Sequence, residues 1–141
     1  MRDRIFRSKV IKAYGSQCAL TGFKFINGGG RAEVEAAHIK SVEARGPDIV
    51  QNGLALSGVR CGEANPLLRV ALVHWMFDRG LISLSDDRRI MLSNDINDVD
   101  GVRKMLNPDG FARWPAVMAE RPDARFLAWH RERCFKGVAL G

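Results

Sequence analysis

The chain has 141 residues, 46% hydrophobic and 27% charged, which is enough for one domain with a single core and too little for a second. Its 22 basic and 16 acidic side chains leave a formal net charge of +6, a balance that favours polyanionic partners through attraction to phosphate. No apolar stretch approaches a membrane span and no charged leader with an apolar run opens the chain, so no membrane partner is expected and the expected setting is reduced and cytoplasmic.

Residues 3 to 14 place Phe6, Val10, Ala13 and Tyr14 on one face at helical spacing, with Gly15 as terminator. Arg2, Arg4, Arg7, Lys9 and Lys12 stand against one Asp3, so a basic amphipathic helix is predicted. CALTG and NGGG read as turn and loop. AEVEAAHI, residues 32 to 39, is short enough for a strand and ends at His38, the first of three histidines. SVEARGPDIVQ reads as a loop broken by Pro47, and NGLALS as a second strand opening on Asn52 and Gly53.

The next segment, RCGEANPLLRVALVHWMFDRG, predicts a helix over 66–79: Asn65 can cap it, Pro66 suits the first position and Gly80 the exit. LISLSDDRRIMLS predicts two strands around an Asp86–Asp87 turn, and 98 to 106 a short helix closed by NPDG. A final helix from about 123 to 136 is capped by Asp123 and ends near Gly137. It adds Arg125, Arg131, Arg133 and Lys136 to a second basic run that begins at Arg121. NDINDVD, 94 to 100, is the acidic counterweight. The order of elements predicts a small α+β domain spanning 1–141, and nothing in it signals an oligomeric state.

Within the helix over 66–79, His74 and Asp78 are four apart and project from one face, one turn above the other. An imidazole nitrogen with a carboxylate oxygen suits magnesium, manganese, nickel or zinc. On spacing alone, such a pair is usually a surface hydrogen bond or ion pair, and metal binding is the less common outcome. Cys18, Cys61 and Cys134 form no C-x-x-C pair, so buried or idle thiols are expected in place of a zinc knot or redox site.

The ordered set of His38, Asn52, His74 and Asp78 changes the reading. EAAHI, NGLALS and HWMFDRGLISL, flanked by FRSKVIKAYGSQCALTG and FLAWHRERCFKG, resemble the HNH nuclease family in order and character over most of the chain. The resemblance implies a two-stranded hairpin followed by a helix, the ββα-metal finger. It implies a metal-dependent endonuclease acting on DNA, in restriction, phage defence, recombination or mobile-element chemistry. His38 would be the general base, and His74 and Asp78 would hold one divalent cation, magnesium or manganese first, with nickel or zinc as alternatives. Asn52 would brace the loop, orient His38 or join the metal shell.

Two features depart from the family pattern. Ala37 stands where relatives often carry another ligand; Glu35, two residues earlier on the same strand face, is a candidate substitute, and otherwise water and substrate oxygens complete the shell. From Asn52 to His74 is 22 positions, where about half that or less usually suffices, so residues 60–72 look inserted, either extending the helix backwards or bulging before it. Both departures support the alternative of a catalytically degenerate finger that binds nucleic acid without cutting. Arg79 is a candidate phosphate contact, with complementing the helix dipole as its simpler role. Trp75, Met76 and Phe77 are expected in the core, His130 is expected to be structural or exposed, and no zinc is expected at Cys18.

Overall fold

Helix α1 (Arg2–Ala13) forms where predicted, and its apolar residues set its place. Phe6 and Val10, with Tyr14 one turn on, are buried, whereas Arg4, Lys9 and Lys12 face solvent. The computed structural model describes residues 2–24, 26, 34–57 and 68–140, with side chains described from residue 4 and, in the last of these stretches, from residue 73.

Strands β1 (Val34–His38) and β2 (Gly53–Ser57) pair antiparallel, with His38 opposite Gly53 and Val34 opposite Ser57. The hairpin packs against both α1 and the second helix, α2 (Leu68–Asp78). All five β2 residues are buried, as expected of a strand covered on both faces. Gly53 is required by the close approach of α1: a Cβ there would overlap Val10 Cγ2 and press on the Phe6 ring. Tyr14 fixes the other end of that contact by donating its hydroxyl to the Gly53 carbonyl at 2.9 Å. Burial pushes its phenol well above the ordinary range, so it stays a donor.

The loop between the strands is more ordered than the sequence suggests. It contains two 3-10 turns, Val42–Ala44 and Val50–Asn52, so Asn52 closes a turn before β2 and does not open the strand itself. Helix α2 covers most of the predicted 66–79; the proposed cap Asn65 and first residue Pro66, and residues 60–67 of the insertion, lie outside the described residues. Val73, Met76 and Phe77 are buried against the hairpin, but Trp75 is 48% exposed. The core expectation fails for Trp75 because an inward stripe at 73, 76 and 77 leaves 75 on the opposite side of a 3.6-residue turn.

Strands β3 (Ile82–Leu84) and β4 (Ile90–Leu92) make a second antiparallel pair around the predicted aspartate turn. Helix α3 (Val99–Met105) is capped by the Asp98 carboxylate, which accepts from the Gly101 amide. Helix α4 (Ala124–Trp129) is capped by Asp123 as predicted, then widens into a π-helical turn at His130–Cys134. The result is an α+β fold of helices around two small sheets. Among the described residues, no helix is long and apolar enough to cross a membrane.

Candidate active site

A cleft of about 380 Å³ opens between the end of β1, the first 3-10 turn and α2, and its lining includes Ala37, His38, Glu43, His74 and Asp78. Three predicted site residues thus meet in one place although 36 positions separate the two histidines. The lengthened connection does not drive the helix out of register with the hairpin.

Asn52 stands behind the cleft, 0% exposed. Its Oδ1 accepts from the Lys40 amide at 2.8 Å, and its Nδ2 donates to the carbonyls of Lys40 and Pro47 at 3.0 Å each. A buried amide has to spend its hydrogen-bonding capacity on partners, and these partners are all loop backbone. Of the roles the sequence left open for Asn52, its contacts correspond to bracing the loop.

That brace locates a residue that sequence reasoning missed. Asp48, next to Pro47, places Oδ1 2.8 Å from His38 Nε2. The His38 ring also stacks on Phe6 of α1, centroids 4.1 Å apart and planes 13° from parallel. Nine loop residues, a 3-10 turn among them, separate His38 from Asp48, so no periodicity links them; an acidic residue in the loop following a strand-end histidine was the only signal. Glu35, the candidate replacement for the ligand missing at Ala37, lies instead 3.5 Å from Arg7 Nε, and Arg7 also holds the Val34 carbonyl. Among the described residues, no third His, Cys, Asp or Glu groups with His74 and Asp78 as a metal cage would need.

On α2, His74 Nε2 lies 3.1 Å from Asp78 Oδ2, with the carboxylate half exposed. Two donor atoms bound at right angles to one ion at ~2.1 Å stand roughly 3.0 Å apart. The pair therefore fits two adjacent positions of a divalent shell, with the remaining positions left to water and substrate oxygens. Arg79 is placed elsewhere: its guanidinium lies 5.6 Å over the exposed Trp75 ring, on the outward stripe and outside the cleft lining.

This fold is shared with a solved structure. Over 92% of this chain, the backbone matches a modification-dependent TagI restriction endonuclease with a TM-score of 0.64 at 19% identity. The chain spans 37% of the length of that neighbour's chain. No family model matches the sequence, and no curated protein matches it. The likeness to TagI is one of fold, an arrangement of helices and small sheets, and it extends well past the hairpin and α2.

The end of α2 that carries Asp78 is held from behind. His130 Nε2 donates to the Phe77 carbonyl at 2.9 Å, its Nδ1 accepts from the Ser83 hydroxyl at 2.7 Å, and its ring stacks on Phe77 with centroids 3.9 Å apart. The Cys134 thiol lies 3.4 Å from the Asp78 carbonyl, and burial raises its pKa, keeping the proton in place to be donated. Gly80, at φ +78, turns the chain directly beneath the Cys134 carbonyl, where any Cβ would collide. The carbonyls left over at the helix end are thus satisfied.

His130 is structural, and its neutrality has a measurable consequence. Burial lowers its pKa from 6.5 to about 4, against the opposing influence of the Phe77 carbonyl and the Asp78 carboxylate. The stability gained by keeping it neutral is complete above about pH 6.5, and it is lost as pH falls toward 4, because the unfolded chain takes up the proton first. The loss is expected to be on the order of 3 kcal/mol. Urea midpoints should fall between about pH 7 and pH 4.5, and His130→Asn should flatten that slope; an unchanged slope in the variant would assign the acid sensitivity to other groups.

Proposed function

We propose that this chain is a metal-dependent endonuclease of the HNH type, a ββα-metal finger that hydrolyses DNA phosphodiester bonds. The observation that carries the reading is the convergence of His38, His74 and Asp78 on one cleft from a hairpin and a helix distant in sequence. The shared fold of a restriction endonuclease supports it, as does the net charge of +6. A part in restriction or defence in the cytoplasm accords with both.

In this reading His38 takes a proton from a water whose oxygen bonds to phosphorus as the bond to the 3′ oxygen breaks, leaving a 5′ phosphate and a 3′ hydroxyl once the departing oxygen is protonated by solvent. A divalent cation on His74 and Asp78, magnesium or manganese in preference to nickel or zinc, would supply neutralisation of the negative charge developing on the phosphate oxygens. Asn52 keeps the loop behind His38 in place. Arg4, Lys9 and Lys12 on the outer side of α1 offer phosphate contacts of the positioning kind, and Arg79, over Trp75 and outside the cleft lining, offers another.

The second reading, a degenerate finger that binds and does not cut, is favoured by Ala37 and by the lack of a third protein ligand among the described residues. Supercoiled plasmid separates the two. With magnesium or manganese the nuclease produces open circles, chelation stops it, and the double variant His74→Ala, Asp78→Ala nicks more than ~100-fold slower, beyond the usual cost of an outer-shell change. Salt-sensitive binding with no nicking in any of the four metals would establish the binding module instead.

A further inference from the structure

We infer that Asp48 is a positioning residue that holds His38 as the Nε2–H tautomer, leaving Nδ1 as the nitrogen that takes the proton from the attacking water; this rests on the nuclease reading above. An ionised carboxylate can only accept hydrogen bonds, so across the 2.8 Å contact the proton belongs to Nε2. A neutral imidazole then has one lone pair, on Nδ1, and among the described residues Nδ1 has no hydrogen-bond partner. The nitrogen without a partner among the described residues is thus the one left for the attacking water.

Three further contacts make this a fixed arrangement. Phe6 is 3% exposed and lies flat on the His38 ring, opposing its rotation. The side chains of His38 and Asp48 are only 20% and 18% exposed, so water competes weakly for their hydrogen bond. The carbonyl of Pro47, one residue before Asp48, is held by Asn52 Nδ2. Asn52 therefore acts on His38 through Asp48, and the carboxylate also steadies the imidazolium that forms when the proton arrives, the logic by which a buried aspartate serves a catalytic histidine in hydrolases.

The test compares Asp48→Ala, Asp48→Asn and His38→Ala in the full chain, with two independent readouts. One is plasmid nicking resolved into kcat and KM. The other is long-range 1H–15N NMR of the ring nitrogens at about pH 9, where an ordinary imidazole is neutral, with His38→Ala used to assign the signals. Asp48→Ala is expected to lower kcat ~10- to 100-fold with KM unchanged and to convert a pure Nε2–H signature into a tautomer mixture. Asp48→Asn, whose amide oxygen still accepts, should keep the signature and lose less activity. An Nδ1–H tautomer in the unaltered protein, or an Asp48→Ala chain with unchanged ring signals and rate, overturns the inference while the nuclease reading stands. If the unaltered protein nicks in no metal, it is the nuclease reading that fails, and the ring signals alone then decide whether Asp48 sets the tautomer.

Discussion

Replacing His38 with alanine is expected to slow phosphodiester cleavage by ~10²- to 10⁴-fold while leaving affinity for DNA at its original value. The size follows from the role: a positioned base is lost, and water must surrender its proton to bulk solvent. The retained affinity follows from the surroundings, because the ring lies between Phe6 and Asp48 with its side chain only 20% exposed. DNA binding by a chain of net charge +6 would rest on exposed cations and counterion release, to which a largely covered side chain adds little. Single-turnover nicking beside gel-shift titration over a range of salt reads both quantities. A variant that cuts at the original rate would remove His38 from the chemistry, and one that loses rate and affinity together would make it a binding residue.

Asn52→Ala should cost about 3–5 kcal/mol of stability. The truncation strands the Lys40 amide and the carbonyls of Lys40 and Pro47, all served by one side chain at a fully buried position. Buried polar groups left without partners cost about 1–3 kcal/mol each, with partial relief as the loop relaxes. Activity should fall in step, since the loop that relaxes carries Asp48. Chemical denaturation supplies the free energy, and metal titration supplies the contrast: an Asn52→Ala chain of unaltered stability but weakened cation affinity would identify the amide as a ligand.

The helices were legible where amphipathic spacing and caps coincide. Phe6, Val10 and Tyr14 fall on one stripe, and Asp123 stands at a helix start with free amides to accept from. The hairpin was harder to read because β2 is covered on both faces, so the alternation that marks a half-buried strand is absent from GLALS. His38, His74 and Asp78 could be named from their motif, but their meeting in space depends on how α1 and α2 clasp the hairpin, which no local pattern encodes. Asp48 was invisible for the same reason at shorter range, since its position derives from hydrogen bonds that Asn52 makes to backbone. Trp75 was misplaced because an apolar run within a helix does not reveal which of its members faces outward. The widening at His130–Cys134 follows a change of backbone hydrogen bonding inside an otherwise regular helical sequence, and it was read as plain helix.

The contacts at the far end of α2 bear on what counts as the smallest working unit. A fragment cut to the hairpin and this helix would retain every donor atom assigned to the chemistry, yet it would lack Ser83, His130 and Cys134, which fasten the turn bearing the Asp78 carboxylate. The motif is consequently not a portable cassette: its geometry is finished by a segment more than fifty residues downstream, and grafting experiments that leave that segment behind would transplant His74 and Asp78 without their alignment.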